Sequence, residues 1–381
     1  MIPRIIDLQQ AVQVGKVTIL YGSRRTGKTT LVKQFLAHTS QKYLLVSWES
    51  LQIQTLFADH DDLALHQRVA GYELLVIDEA QVLPQLGLCL KMIIDAHPQL
   101  TILVTWSSSF LIRQKTGEPL LGRKNTLMLY TISVQELAMI HNTYELQHMR
   151  NALLLYGSYP EVLTLSSIRD KQSYLAELVD SYLLKDILQL DKVKASSTLV
   201  NLIKLLAYQI GNEVSHHELA SKLGIHTKTV ARYIDLLVQW FVILPLTPYM
   251  RNMRNALTKK NKYYFRDLGI RNAVINNFEE IHIRADLWAL RENFVIIEFI
   301  KHYSYQKWYK DILLNHFHFW RSYSGAEIDM IIEQGDMLYC YECKYSPKKT
   351  ATIPQEFVKH LHKWYHYEVI HTDNYLQKIS G

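Results

Sequence analysis

Two short stretches carry the residue types that phosphate chemistry needs. In YGSRRTGKTTL, Tyr21 to Leu31, the residues Gly22, Gly27, Lys28 and Thr29 fit the spacing G-x-x-x-x-G-K-[ST]. Glycines at those places let backbone N–H groups turn toward an anion, and the start of the following helix adds positive partial charge. Lys28 can then reach β- and γ-phosphates, and the Thr29 hydroxyl can ligate Mg²⁺. The expected ligands are therefore ATP and Mg²⁺, cradled by Gly22, Ser23, Arg24, Arg25, Thr26, Gly27, Lys28, Thr29 and Thr30. In YELLVIDEAQVL, Tyr72 to Leu83, Asp78 and Glu79 close the apolar run Leu74 to Ile77. Asp78 is placed to hold Mg²⁺, directly or through water, and Glu79 to orient and polarise an attacking water.

These groups need a sheet to hold them. The run Val17 to Leu20 precedes the glycine-rich loop, and Leu31, Val32, Phe35 and Leu36 give the following segment one apolar helical face. Leu74 to Ile77 is continuously apolar, as in a strand buried on both faces. Carboxylates at the end of such a strand lie where open α/β sheets bind ligands. A further strand, Thr101 to Thr105, ends in polar residues and offers Thr105 or Ser107 as a hydroxyl to sense the γ-phosphate; both also suit a plain turn. With Tyr43 to Trp48 and Thr126 to Tyr130, residues 1–135 supply five strands joined by helices, a parallel sheet covered on both faces.

The remainder changes pattern. A chain of 381 residues with 48% hydrophobic and 20% charged residues suits two to three globular domains and excludes a disordered protein. The net charge of +6 permits an acidic partner without requiring one. Three cysteines make no disulfide framework, the first ten residues read as no signal segment, and the apolar WFVILPL is interrupted by Pro245. The expectation is a cytoplasmic chain without a membrane segment. Residues 136–200 read as helices, expected as a lid on the nucleotide-binding domain.

Residues 201–250 contain a helix-turn-helix spacing. Leu219 and Leu223 mark a short helix, Gly224 a turn, Thr227 a helix cap, and Val230, Tyr233, Ile234 and Leu237 an apolar face. In a DNA reader, Lys228, Thr229 and Arg232 would face the major groove. The same shape serves a winged-helix packing module that touches only protein. Arg251, Arg254, Lys259, Lys260 and Lys262 follow, as a phosphate-contacting stripe or a solvated basic loop.

A second constellation lies in residues 251–381. GAEIDMIIEQGDMLYCYECKY, Gly325 to Tyr345, reads as two strands around Gln334 and Gly335. With those two residues as the loop, Asp329 lies opposite Cys340 and diagonal to Glu342, and alternation places Glu342 and Lys344 on that same face. Two carboxylates and a lysine in the order D…E-x-K match the PD-(D/E)XK nuclease fold, in which the acids (Asp329 and Glu342) hold a divalent metal and the lysine acts on water. An upstream helix would contribute Glu292 or, second, Glu298. A decayed nuclease scaffold has the same pattern. Cys340 and Cys343 point to opposite faces, which excludes a zinc knuckle.

In their order, LYGSRRTGKTTL, LLVIDEAQ, EPLLGR, LLYGSYPEV, the helix-turn-helix, KNKYYFRDLGIRNA, ENFVIIEFI, AEIDMIIE and YECKY cover nearly the whole chain. The set resembles a family of prokaryotic AAA+ superfamily ATPases that carry a carboxy-terminal domain of unknown function related to PD-(D/E)XK nucleases. The resemblance implies ATP binding and hydrolysis through Gly22, Gly27, Lys28, Thr29, Asp78 and Glu79, and it makes Arg123 a candidate arginine finger or sensor. Two positions depart from the family pattern: Trp106 replaces a glycine after the sensor strand, and Arg266 an apolar residue. Three functions stay open at this point: an ATPase that remodels nucleic acid or protein, in oligomers or alone; a nucleotide-dependent nuclease; and an ATP-binding switch whose nuclease-like fold is a binding platform.

Overall fold

The computed structural model describes residues 2–47, 62–80, 86–107, 120–181, 196–250, 260–306, 316–344, 351–359, 361, 363–371 and 374–380. The chain divides into two compact units, the smaller comprising Arg4–Ile132 with Gln239–Phe241 and the larger Met1–Pro3, Ser133–Val238 and Val242–Gly381. Among the described residues no helix is long and apolar enough to cross a membrane.

The smaller unit is a five-stranded, all-parallel sheet. Its strands are β1 (Val17–Tyr21), β2 (Tyr43–Ser47), β3 (Leu74–Asp78), β4 (Thr101–Trp106) and β5 (Lys124–Met128), in the order β2-β3-β4-β1-β5. Helices α1 (Lys28–His38), α2 (Asp62–Val69) and α3 (Leu86–Ala96) connect them. The β-branched runs of β1, β3 and β4 are buried along their length because parallel strands are covered on both faces. Ile19, Ile77, Ile93 and Val104 meet in one apolar cluster. Since β4 lies between β1 and β3, the ends of all three strands open on one edge, which is where Gly22, Asp78 and Thr105 fall.

The larger unit is built on a seven-stranded mixed sheet in the order β12-β11-β10-β9-β7-β8-β6. The strands are β6 (Glu213–Val214), β7 (Ile243–Pro248), β8 (Asn261–Phe265), β9 (Phe317–Arg321), β10 (Glu327–Gln334), β11 (Met337–Cys343) and β12 (Trp364–Ile370). Its longer helices are α4 (Thr143–Tyr156), α5 (Ile168–Leu178), α6 (Ser196–Tyr208), α7 (His216–Leu223), α8 (Thr227–Gln239), α9 (Leu268–Val274) and α10 (Leu287–Gln306), and the chain closes on the short α11 (Tyr375–Ser380). The helices expected as a lid are grouped with this unit. The reason is polar as well as apolar. The Asn272 amide donates to the Leu154 and Leu155 carbonyls at the end of α4, and the Asp267 carboxylate accepts the Ser158 N–H at 2.8 Å while capping α9.

Gly224, in the left-handed conformation, ends α7, and α8 starts at Thr227 itself. Val230, Tyr233, Ile234 and Leu237 are buried along one face of α8, as their spacing predicts. The strands that follow return to this module: β8 pairs antiparallel with both β6 and β7, and β7 runs parallel to β9, so the sheet continues across residue 250.

The β10–β11 hairpin differs from expectation by two residues. Its turn is Gly335 and Asp336, with Gln334 paired to Met337 and Ile331 to Cys340. Continued along the strands, that register sets Asp329 against Glu342 rather than Cys340. Gly335, at φ +59, suits a tight hairpin turn that Gln334 would not. A slip of two preserves the face, so the expected company of Asp329 and Glu342 is unaffected.

Candidate functional site

In the smaller unit, the glycine-rich loop joins β1 to α1. Gly27 is the helix cap at φ +94, and a Cβ on Gly22 would lie 2.1 Å from the Leu129 carbonyl oxygen, so side chains are excluded at both places. The Thr26 hydroxyl donates to the Ser23 carbonyl at 2.9 Å, closing the loop on itself. Lys28 is buried, and its ammonium donates to the Gly22 and Ser23 carbonyls at 3.0 and 2.8 Å. Burial pulls its pKa down to about 8, against the raising pull of Glu79 and Asp78. Ser23 is also buried, Arg24 is half-buried, and Arg25 and Thr30 are exposed.

The Thr29 hydroxyl donates to Asp78 Oδ2 at 2.9 Å, so two oxygen donors from the ends of β1 and β3 converge. A hydroxyl beside a carboxylate is a hard oxygen set that fits Mg²⁺. Thr105, fully buried, hydrogen-bonds the other oxygen of Asp78 and accepts the Glu79 N–H at 2.8 Å. Its hydroxyl is thus engaged in placing the two acidic residues, where the sequence suggested a phosphate sensor. Ser107 is buried. Glu79 itself sits at φ +53, a left-handed conformation that costs a non-glycine residue roughly 1–2 kcal/mol.

Arg123 is remote from this edge. Its carbonyl accepts the Val17 N–H at the start of β1, while the loop follows the end of β1, and its side chain pairs with Asp95. Acting as a sensor on the chain's own nucleotide is incompatible with that position. Arg4 was not legible as a site residue, yet its guanidinium donates to the Thr26 carbonyl at 2.8 Å and to the Tyr130 carbonyl at 2.7 Å, tying the loop to the segment after β5. Only the fold brings position 4 beside position 26.

Comparison with known proteins agrees with this geometry for the smaller unit. Residues 14–138 match the family model described as an AAA domain. Over these residues the smaller unit is similar to an AAA domain. Residues 147–280 and 289–378 match two domains of unknown function, DUF8612 and DUF4143. An uncharacterized protein of Mycobacterium tuberculosis is 27% identical over 341 residues, spanning 88% of this chain and 72% of its own length. An uncharacterized protein of Haemophilus influenzae is 24% identical, with 79% of each chain covered. Among solved structures, the replication initiator DnaA bound to AMPPCP and single-stranded DNA is 13% identical, covering 61% of this chain and 85% of its own, with a TM-score of 0.31. The RuvB Holliday junction branch migration motor of Thermotoga maritima is 20% identical, covering 64% and 87%, with a TM-score of 0.29.

The larger unit gathers Glu292, Asp329, Glu342 and Lys344 into one largely buried cluster with Lys262, which the sequence placed in a basic stripe, and with Tyr264 and Glu327, which it left aside. The Tyr264 hydroxyl donates to Glu292 Oε1 at 2.6 Å, and Lys262 lies 3.4 Å from the same oxygen while also pairing with Glu327. The Cys343 N–H donates to Asp329 Oδ2 at 2.7 Å, and Lys344 contacts Glu342 Oε1 at 2.5 Å. Burial, reinforced by the Glu292 and Glu342 charges, raises the Asp329 carboxyl well above the usual range. Burial also raises Glu342, against the pull of Lys344. Lys262 is raised: burial opposes its charge, but Glu292, Glu327 and Asp329 outweigh it.

Lys262 therefore belongs to neither a phosphate stripe nor a solvated loop; it is 1% exposed. Its place in β8, among the aromatic residues Tyr263, Tyr264 and Phe265, is the signal that could have found it. Lys260 is exposed, and Arg251, Arg254 and Lys259 lie outside the described residues. Glu298 lies apart from the cluster, pairing with Lys301 at 2.7 Å and accepting the Val134 N–H.

The metal expected at Asp329 and Glu342 fits these partners poorly. Among the described residues no three His, Cys, Asp or Glu side chains are placed to share an ion. Glu292, Asp329 and Glu342 each already bind a cation or an N–H, and only Glu342 Oε2 is buried with no hydrogen-bond partner among them. On the helix-turn-helix, Lys228 and Arg232 are exposed and Thr229 is half-exposed. Cys340 is buried with Ile328, Ile331, Leu338 and Phe357, away from the backbone contact that Cys343 makes.

Proposed function

We propose that the chain is an ATP-hydrolysing AAA+ protein that couples nucleotide state to its carboxy-terminal unit. The observation that supports it best is the 2.9 Å contact between Thr29 and Asp78 beside the buried Lys28, which gathers two oxygen ligands and an ammonium where β1 and β3, separated by β4, end. Bound MgATP would supply a γ-phosphoryl group whose transfer to water the metal's charge assists. Thr29 and Asp78 would hold the metal. The backbone N–H groups of the loop, Gly22 to Thr30, would face the phosphates, and Lys28 would exchange its two carbonyl acceptors for phosphate oxygens. Glu79, anchored through its N–H on Thr105, would orient water and accept its proton. Arg123, at the far end of β1, is assigned to the nucleotide of a neighbouring copy in an oligomer.

For the larger unit we favour a binding platform over a metal-dependent nuclease, because Lys344 already pairs with Glu342 and the Cys343 N–H with Asp329, the two carboxylates of the D…E-x-K pattern, while Lys262 pairs with the nearby Glu292. The relation to the PD-(D/E)XK fold then concerns scaffold and not activity. The β6, α7, α8, β7 and β8 elements, with β8 paired to both other strands, have the order of a winged helix. Exposed Lys228, Arg232 and Lys260 suit a nucleic-acid backbone; contact with a protein partner is the alternative use of the same module.

The test is ATP turnover by the full chain with and without duplex and single-stranded DNA, alongside cleavage assays with Mg²⁺ or Mn²⁺. Turnover with no cleavage is the expected result. No nucleotide binding would remove the reading; metal-dependent cutting lost in Asp329→Ala would restore the nuclease.

A further inference from the structure

Gln239–Phe241 belong to the smaller unit, although the chain on either side, to Val238 and from Val242, belongs to the larger. Gln239 is the last residue of α8, the helix whose opening turns carry the exposed Lys228 and Arg232. This helix is closed as α7 is: the Val242 N–H donates to the Leu237 carbonyl at 2.9 Å, as the Ile225 N–H does to the Ala220 carbonyl at 3.1 Å. Such a cap needs one residue in the left-handed conformation, which favours glycine. In α7 that residue is Gly224, at φ +64; in α8 it is Phe241, at φ +58. Only four described residues other than glycine have a positive φ. Arg25 and Glu79 belong to the phosphate loop and the acidic end of β3, Asn276 has the short polar side chain that tolerates the conformation, and Phe241 is the fourth.

The strained cap delivers a ring. Phe241, 5% exposed, enters the apolar cluster of Ile19, Ile77 and Val104, and its ring centroid lies 5.8 Å from that of Tyr21. Tyr21 ends β1, and the next residue is Gly22 of the phosphate loop. The Tyr21 carbonyl accepts the Leu129 N–H at 2.7 Å, and the Gly22 N–H donates to the Trp106 carbonyl at 3.1 Å, so the peptide between them is held from both neighbouring strands. The Gly22 carbonyl accepts the Lys28 ammonium at 3.0 Å, the contact that phosphate would replace. A backbone conformation that glycine would adopt freely is kept by a large side chain where the place of that side chain matters. We propose that Phe241 is a positioning residue that couples the phosphate loop to α8: nucleotide bound beside Tyr21 tightens the seat of the ring and thereby steadies the helix that carries Lys228 and Arg232. This rests on the reading of the loop as a nucleotide site and adds the route by which its state reaches the larger unit.

Amide exchange of the full chain, read by mass spectrometry with and without Mg²⁺ and AMPPCP, tests it, with calorimetry to establish that each protein binds the nucleotide. In the wild type, nucleotide should slow exchange at Val230 to Leu237 at least about fivefold and leave α5, in the same unit, unchanged. Phe241→Gly gives the cap its usual residue and removes the ring. It should still bind AMPPCP and keep the slowing within β1 and β3, while the response of α8 is lost. Phe241→Leu, which shortens the reach toward Tyr21 and leaves an apolar side chain in the core, should lose most of that response, and it decides the matter alone if Phe241→Gly does not fold. Absence of AMPPCP binding by the wild type would overturn the reading of the loop itself. Binding with no response of α8, an equal response of α5, or a full response in both Phe241 variants would overturn the coupling and leave that reading standing.

Discussion

Lys28 and Lys262 are both buried lysines, one in each unit, and their surroundings differ in kind. Among the described residues Lys28 donates to backbone carbonyls alone, with Asp78 and Glu79 acting at longer range, and burial holds its pKa down to about 8. Lys262 sits directly between Glu292 and Glu327, and its pKa is raised despite burial. A lysine held by neutral acceptors keeps its charge uncompensated and is ready for an anionic ligand. One already between carboxylates has its charge committed to the fold, because separating a buried pair costs more than any exposed contact returns. The same side chain is thus a ligand-binding group in one unit and a structural one in the other.

The sharpest way to break this contrast is Lys28→Ala. Lys28 is the ammonium of the glycine-rich loop, so ATP affinity should fall at least about a hundredfold while the fold persists, measured by equilibrium binding and thermal melting. Unchanged affinity would place Lys28 with Lys262 as a structural lysine. Glu79→Gln should keep ATP and lose about two orders of magnitude or more in turnover, since the amide preserves shape and cannot take a proton. Near-normal turnover there would move the base elsewhere.

Lys262→Met should act on stability instead, by about 3–5 kcal/mol in chemical unfolding, because it strands Glu292 without its cation. Adding Glu292→Gln should recover much of that loss; a single variant as stable as the wild type would dissolve the contrast from the other side.

Two smaller effects follow from protonation. Asp329 is raised in the folded state, so the fold keeps a proton that the unfolded chain releases near pH 4. Its contribution to stability therefore declines as pH rises from about 4 toward neutrality. Asp329→Asn, which cannot ionise, should gain stability relative to wild type between pH 4.5 and 7.5, read by urea unfolding at both; the same difference at both values would contradict the raised pKa. At pH 8.5 a substantial fraction of Lys28 is neutral in the free protein, and phosphate binding restores its charge. ATP binding should then take up a fraction of a proton, seen by calorimetry in two buffers of different ionisation enthalpy and absent in Lys28→Ala.

What could be read from the sequence was local in origin. The glycine spacing, the acids that close β3 and the period of α8 are each fixed within about a dozen residues, because a tight loop, a doubly buried strand and an amphipathic helix impose their requirements on neighbours in the chain. The sequence by itself determined the parallel sheet, the phosphate loop with Asp78 and Glu79, and the shared face of Asp329 and Glu342. The tertiary structure alone decided that Arg4 ties down Thr26, that Thr105 places Asp78 and Glu79, that Arg123 stands at the other end of β1, and that Lys262 closes an ion pair with Glu292 instead of facing solvent. It also chose Glu292 over Glu298, two residues of the same type on one helix: Glu292 meets Tyr264 and Lys262 of β8, whereas Glu298 pairs with Lys301 one turn along its own helix. Charges are read by what surrounds them, and for Arg4, Thr105, Arg123 and Lys262 the partner lies more than twenty residues away, where no local spacing reaches.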